Sequence, residues 1–589
     1  MQRKQIEKRL DLVMMAVGAL AVISLVGKAG FGLGENFVKT FYIMDAAIII
    51  FFIANAIARL VIARDWWKFI KAHPVQYILI LLFLSQILIA RLLLTDIGYK
   101  YVLNQLNLVG ITKIYIVLMQ AYIFIELLVE VGRINSRMAS LPLPPAALFA
   151  VSFMILISVG TLLLMLPGAT VGKSIKFVDA LFTATSATCV TGLIVVPTGT
   201  FFTRFGHIVI MTLIQFGGLG LMTFGTFFAL VFRQEFGLRE RMLLGDVLNV
   251  QVFGKIKTLL ASIVGITIGM ELIGGILIYI SSGPYTKDME SRFFWATFHS
   301  ISAFCNAGFS LWNDNIGRFT SDWKMTLIFA GLIIIGGLGF IVVSDIGKYL
   351  FSPFRNKRRK ITHFTLQTRT VLSMTLILII AGMALLLLGD TNKQFLGKDW
   401  PTALLTAFFQ SVTARTAGFN TIDIGALSAA PLLILIILMF IGASPGSTGG
   451  GIKTTTLAVV IASVRARLSG HTKVNVFNRS LSSGVVSVAA MIIVLALIII
   501  SIGTYLLCIF ELGSNSEWSF LDMLFEVVSA FGTVGLSTGP TFGLSTASKL
   551  VITAIMFLGR VGPLTFLFAV SRHFKVKRME YIEETVMVG

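Results

Sequence analysis

Four stretches of this chain end in the same kind of tip. A short, mostly apolar run stops at a glycine, and a second long apolar run begins soon after. The tips are Cys189-Val190-Thr191-Gly192-Leu193, Cys305-Asn306-Ala307-Gly308-Phe309, Arg415-Thr416-Ala417-Gly418-Phe419 and Gly532-Thr533-Val534-Gly535-Leu536. Their glycines lie 116, 110 and 117 residues apart. A period this regular means one unit built four times. A helix that stops at a glycine within a membrane exposes carbonyls, and four such tips around one axis would make a ring of oxygens suited to a cation.

The membrane setting follows from composition. Hydrophobic residues make up 56% of the 589-residue chain, charged residues only 13%, and the mean hydropathy is +0.89. Soluble domains carry about 25% charged residues. Apolar runs of about 20 residues, each long enough to cross hydrocarbon, recur along nearly the whole chain. The net charge of +20 raises the question of nucleic acid. The basic residues sit between apolar runs, where orientation signals belong, so no nucleic-acid partner is expected. With Cys189, Cys305 and Cys508 alone, neither a disulfide framework nor a zinc site is indicated. The polar, basic start followed by many apolar runs argues against a cleaved signal peptide.

The expected fold class is an all-α polytopic membrane protein. Four pseudo-repeated units, each a first helix, a re-entrant helix and a second helix, surround one central pore, and four further transmembrane helices precede them. The N-terminal extension is placed at 1–140, with apolar runs near 12–34, 40–63, 75–94 and 105–128. The repeats are placed at 141–235, 236–350, 351–461 and 462–589, the last including a basic tail. Their second helices are read at 204–232, 323–350, 427–461 and 546–571. The short runs before the tips cannot span, and irregular backbone beside them is tolerable only along a water-filled path. Basic residues cluster in 348–369, in 463–479 and from Arg572 onward, all on one side if each unit crosses twice. That side is the cytoplasmic one, with both termini, and the tips face outward. Trp295, Trp312, Trp323, Trp400 and Trp518 then fall at the outer interface.

A dehydrated cation needs oxygens at the right radius, and backbone carbonyls supply them without fixed charge. Glycine reaches the positive φ that turns successive carbonyls to the axis. The candidate ion-binding residues are therefore Val190, Thr191 and Gly192; Asn306, Ala307 and Gly308; Thr416, Ala417 and Gly418; and Thr533, Val534 and Gly535. The residues before the glycines differ between units, so the ring is expected to be pseudo-symmetric.

Over about residues 146–589 the chain resembles the Trk/Ktr/HKT superfamily of potassium transporters, and most of all the membrane subunit of bacterial Trk or Ktr systems. The resemblance rests on Ala187-Thr188-Cys189-Val190-Thr191-Gly192-Leu193, Phe304-Cys305-Asn306-Ala307-Gly308-Phe309, Thr413-Ala414-Arg415-Thr416-Ala417-Gly418-Phe419 and Gly532-Thr533-Val534-Gly535-Leu536. Gln215-Phe216-Gly217-Gly218-Leu219-Gly220 and Gly336-Gly337-Leu338-Gly339-Phe340 add to it. It implies K+ as the transported ion, a homodimer with one pore per subunit, and a cytoplasmic nucleotide-binding ring subunit as partner. It also implies a multi-pass protein of the plasma membrane, the bacterial inner membrane. In the family a glycine in the first tip accompanies potassium selectivity, and a serine there accompanies sodium transport in some plant members, so Gly192 points to potassium. Na+ as an activator or co-ion stays open, and no organic cofactor is expected.

In the third unit the second helix is interrupted by Gly442-Ala443-Ser444-Pro445-Gly446-Ser447-Thr448-Gly449-Gly450-Gly451-Ile452-Lys453-Thr454, which cannot be continuous helix. Its backbone polar groups need water or protein partners, so it should line the cavity. The resemblance makes it an intramembrane gate of Gly446, Ser447, Thr448, Gly449, Gly450 and Lys453, with Arg560 beneath the ring. Arg560 is too far from the chain end to face lipid cheaply. Lys453 could equally snorkel to the cytoplasmic face. Glu271 reads as a paired structural carboxylate. Asp179, Asp522 and Glu526 read as packing or solvated groups rather than cation attractors.

The N-terminal extension, with Asp45, Asn55 and Arg59 but no periodic arginines in its fourth helix, reads as a scaffold or regulatory bundle rather than a voltage sensor. Among competing classes, a sodium- or proton-coupled secondary transporter for potassium would suit inverted repeats, whereas these repeats run parallel. An enzyme would need a nucleophile–base set or metal cluster. The six histidines are scattered and neither HExxH nor CxxC occurs. A structural bundle would not explain four tips. Membrane lipids complete the expected partners, drawn by the basic linkers.

Overall fold

The computed structural model describes residues 145–220, 256–285, 288–350, 363–511 and 518–562, with a few isolated positions between 20 and 60. The expected N-terminal helices, the basic stretch 351–362, the tail from 563 and the far part of the helix read at 204–232 lie outside the described residues.

Four long apolar helices stand where first helices were expected: α1 (Pro145–Leu164), α4 (Ile256–Ser281), α8 (Leu366–Leu388) and α12 (Ser483–Glu511). Each contains an apolar stretch of 18 or more residues, enough to cross hydrocarbon. Their outer faces are as apolar as their inner ones. Leu272, Ile276 and Ile280 follow one another on the exposed side of α4. A soluble protein could not leave such a stripe in water, whereas lipid accepts it.

Each long helix is followed by a short buried one: α2 (Phe177–Thr188), α5 (Met289–Phe304), α9 (Trp400–Thr413) and α13 (Phe520–Gly532). Their starts are written in the sequence. Asp288 caps α5 by accepting from Glu290 N at 3.4 Å and Ser291 N at 3.0 Å. Ser519 and Asp522 form a reciprocal capping box on α13. Pro401 occupies the first turn of α9, where its missing N–H costs nothing.

The second helices are α3 (Arg204–Leu219), α6 (Trp323–Leu338), α10 (Ala429–Phe440) and α14 (Thr546–Val561). Here the structure corrects the sequence reading. The helix expected over 323–350 is two helices, α6 and α7 (Phe340–Leu350), meeting at 104°. Gly339 lies between them with φ 90°, a left-handed stop that a side chain would resist. Gly220 ends α3 with φ 78° and Gly562 ends α14 with φ 89°, by the same device. After α10 comes the expected non-helical loop, then α11 (Thr454–Leu468) and a small hairpin of β1 (Val474–Val476) and β2 (Arg479–Leu481).

The packing order closes on itself. From each unit to the next, α3 packs on α5, α6 on α9, α10 on α13, and α14 on α2. Lys549 of α14 holds Asp179 of α2 at 2.7 Å, an ion pair across that last seam. Of the five tryptophans expected at the outer interface, Trp323 and Trp400 are exposed as interface residues would be. Trp312 is not: it is 7% exposed and stacks on His299 with ring centroids 3.9 Å apart.

Candidate ion pathway

The tips follow directly from the C-terminal ends of the short helices. In each, the residue two before the glycine and the glycine itself both have positive φ: Val190 58° and Gly192 92°, Asn306 59° and Gly308 70°, Thr416 82° and Gly418 75°, Thr533 50° and Gly535 93°. The residue between them, Thr191, Ala307, Ala417 or Val534, does not. Alternating the sign of φ turns successive carbonyls to one side of the strand instead of opposite sides. Non-glycine residues at positive φ cost on the order of 1–3 kcal/mol each, most for β-branched ones. The short helices hold them there. Thr191 N donates to Ser186 O at 2.7 Å, Ala307 N to Ser302 O at 2.7 Å, Ala417 N to Thr413 O at 2.9 Å and Val534 N to Ser529 O at 2.8 Å.

The four tips meet in a cycle. A Cβ placed on Gly192 would reach Ala307 O at 2.5 Å, and one on Gly308 would reach Ala417 O at 2.7 Å. A Cβ on Gly418 would strike Val534 O, and one on Gly535 would strike Thr191 O. Each glycine thus backs onto the carbonyl preceding the next glycine, and the fourth closes on the first. Asn306 Nδ2 adds a side-chain bond to Thr416 Oγ1 at 3.3 Å.

Serine hydroxyls, which the sequence reading did not single out, fasten three of the tips. Six residues before the glycine, Ser186 Oγ donates to Leu193 O at 2.7 Å and accepts from Gly192 N at 3.1 Å. Ser302 Oγ donates to Phe309 O at 2.8 Å, and Ser529 Oγ accepts from Gly535 N at 3.1 Å. The third unit has Val412 there. Aligning the tips on their glycines exposes the repeated serine.

A cavity of about 490 Å³ opens on one side of the ring, lined by all four glycines and by residues that follow them, including Asp314 and Asp423. On the other side, against residues that precede the glycines, lies the loop between α10 and α11. Its neck is closed by a bridge between Ile441 and Ile452. Thr448 Oγ1 lies 3.4 Å from Phe304 O and 3.3 Å from Gly336 O. Gly450 N donates to Thr533 Oγ1 at 2.9 Å, and Phe340 N donates to Gly446 O at 2.9 Å. Ser447 is less engaged, donating only to Ser444 O within the loop at 2.6 Å. Lys453 Nζ turns back into the loop and donates to Gly449 O at 2.7 Å. Arg560 donates from one guanidinium nitrogen to Thr448 O and from the other to Gly217 O. The loop therefore touches the second, third and fourth units and reaches the first through Arg560.

The carboxylates have local partners. Glu271 accepts from Gln215 Nε2 at 3.1 Å. Asp522 serves the α13 cap. Glu526, read as a packing or solvated group, is the packing one: it is fully buried and accepts from Ser537 and Thr541 hydroxyls. Cys189 and Cys305 are buried and free.

Comparison with known proteins agrees with this architecture. The family model of the TrkH cation transport proteins matches residues 116–576. The Ktr system potassium uptake protein B of Bacillus subtilis is 41% identical over 73% of this chain and 93% of its own length. The potassium/sodium uptake protein NtpJ of Enterococcus hirae is 36% identical over 76% of this chain and 98% of its own. The crystal structure of the potassium transporter TrkH from Vibrio parahaemolyticus superposes with a TM-score of 0.59, covering 84% of this chain and 98% of that one, at 18% identity. That likeness speaks to fold, while the family match and the identities to the uptake proteins speak to kinship. This multi-pass membrane chain belongs to the TrkH family of cation transport proteins, within the Trk/Ktr/HKT superfamily.

Proposed function

We propose that the chain carries potassium into the cell through a channel-like pore whose selectivity filter is the ring of glycine tips and whose gate is the loop between α10 and α11. The single observation that carries the reading is the cyclic contact of the four tips, with alternating φ in each. That geometry can offer stacked carbonyls to one axis, which is how a dehydrated monovalent cation is held without fixed charge. The cavity on one side supplies a wet entrance, and Asp423 on its wall favours cations, whereas the charge of Asp314 is offset by its ion pair with Arg318 at 2.7 Å. The names of the relatives specify potassium, and one adds sodium.

Purified protein in liposomes, given potassium and sodium gradients separately, tests it. Potassium flux is expected to exceed sodium flux at equal gradients by about tenfold or more, a difference of about 1.4 kcal/mol at the filter. Equal fluxes for the two ions, or flux that follows an imposed proton or sodium gradient rather than the potassium gradient, would replace the channel reading with a coupled or unselective one.

Regulation is proposed to come from outside the chain. The basic surface that includes Arg465, Arg467, Lys473 and Arg479 is suited to an acidic partner or to anionic lipid. We take the partner to be a nucleotide-binding ring set against a homodimer. Co-purification of the dimer with that ring, followed by flux in ATP and then in ADP, is expected to give two different rates, because a regulator must favour one state of the gate. Identical rates in both nucleotides would leave the basic face to the membrane alone.

A further inference from the structure

Behind three of the four tips, one buried polar side chain on the short helix reaches the outgoing limb of its own tip. In the second unit it is His299 on α5, nine residues before Gly308. Its Nδ1 donates to Trp295 O at 2.8 Å, which leaves Nε2 to accept from Leu311 N at 3.2 Å, and Nε2 lies 3.2 Å from Ser310 Oγ. In the third unit it is Gln410 on α9, whose Nε2 donates to Thr421 Oγ1 at 3.2 Å. In the fourth it is Glu526 on α13, nine residues before Gly535, accepting from Ser537 Oγ and, at 2.7 Å, from Thr541 Oγ1. All three side chains are 0% exposed. The first unit differs: Thr183, nine residues before Gly192, bonds only back along its own helix, to Asp179 O at 2.8 Å.

A carboxylate, an imidazole and a carboxamide buried behind a tip cost several kcal/mol unless bonded, so these bonds fix both partners. The partners Ser310, Thr421, Ser537 and Thr541 line the outer cavity directly above the ring. The serines Ser186, Ser302 and Ser529 fasten the tip at the glycine itself, and Val412 cannot. The deeper side chains fasten the chain where it leaves the ring. Both sets of anchors act at the glycine or just beyond it, and so set the position of the glycine and the radius that a cation meets.

We propose that His299, Gln410 and Glu526 are positioning residues for ion selection, holding the outgoing limbs of tips two to four so that the ring keeps its width. The inference rests on reading the ring as the filter, and its test separates the two. Each residue is replaced by an apolar side chain of similar volume, Glu526→Leu, Gln410→Met or His299→Phe, and in parallel by a polar one, Glu526→Gln, Gln410→His or His299→Gln. The apolar replacements keep the packing and remove the bond, while the polar ones can remake it. The readout is the potassium-to-sodium permeability ratio in liposomes at equal protein amounts.

The apolar variants are expected to lower the ratio by about three- to tenfold, the loss of one or two ordinary hydrogen bonds. The polar variants should keep it within about twofold, on the same scale of bond energies. Thr183→Val, which touches no outgoing limb, should leave it unchanged. Should an apolar variant fail to reach the membrane, Glu526→Asp keeps the charge, withdraws the carboxylate by one methylene, and should lower the ratio as well. Apolar variants that keep the ratio while Gly192→Ser loses it overturn the positioning role and leave the filter standing. Equal losses in polar and apolar variants also overturn it, since shape rather than bonding would then decide. If neither these variants nor Gly192→Ser changes the ratio, the filter reading falls and this inference with it.

Discussion

Gly535→Ala should nearly abolish potassium flux while the protein still inserts and folds. Gly535 has φ 93°, where an L side chain is strained, and its added Cβ would strike Thr191 O and lie 2.9 Å from Gly192 Cα. Neither obstacle is the movable end of a side chain; both are backbone of the neighbouring tip. Strain alone is worth on the order of 1–3 kcal/mol, or roughly ten- to a hundredfold in a rate limited at that point. Because the tips touch in a cycle, a carbonyl pushed aside in one unit disturbs its neighbour as well. The four glycines should not be equally sensitive. Gly418 and Gly535 back most closely onto carbonyls, Gly192 has its carbonyl at 2.5 Å and Gly308 at 2.7 Å, so alanine should be best tolerated at Gly308. Serine at Gly192 should lower the potassium-to-sodium ratio as well as the rate. Wild-type rates and ratios at all four positions, at equal protein amounts, would end the filter reading.

The tips were legible in the sequence because glycine is the cheapest residue at positive φ and recurs at one spacing. The long helices α1, α4, α8 and α12 were legible because lipid demands about 20 apolar residues in a row. The break at Gly339 was not. Apolar residues continue on both sides of it, and hydropathy reports length but not direction. A glycine within an apolar run is compatible with a straight helix or a 104° turn, and only the packing of Gly339 against the loop residues Pro445 and Gly446 decides. Trp312 was placed at the interface by residue type. Its partner His299 lies in the preceding helix, and nothing local announces the stack. Glu526 shows the same limit. At i+4 from Asp522, residue type leaves packing and solvation equally open, and only the fold separates the two: Asp522 caps the helix while Glu526 turns into the protein toward Ser537 and Thr541. The loop 442–454 was legible as non-helical from its glycines. Its docking onto Gly336, Thr533 and Arg560, up to 112 residues away in sequence, was not.

Removing the Arg560 side chain should open the pathway when no regulatory partner is present. Arg560 donates to Thr448 O on the loop and to Gly217 O on α3, so one side chain ties the loop to the first unit. Each charge-assisted bond is worth about 1.5–3 kcal/mol, and losing the tie should raise the fraction of unlatched loops by about ten- to a hundredfold. Arg560→Ala is expected to increase basal potassium flux in liposomes on that scale, and shortening the loop between Gly446 and Gly449 should do the same. Arg560→Lys separates two causes. A lysine keeps the positive charge but cannot reach both carbonyls with a planar fork. If the tie closes the pathway, lysine should raise flux nearly as much as alanine. If charge repulsion of the permeating ion closes it, lysine should behave as wild type. Lys453, bonded to Gly449 O within the loop, should matter less for closure than Arg560, because it connects the loop only to itself. Alanine and shortened-loop variants that fold, dimerise and still conduct at the wild-type basal rate would show that the loop is a packed kink and that the barrier lies elsewhere.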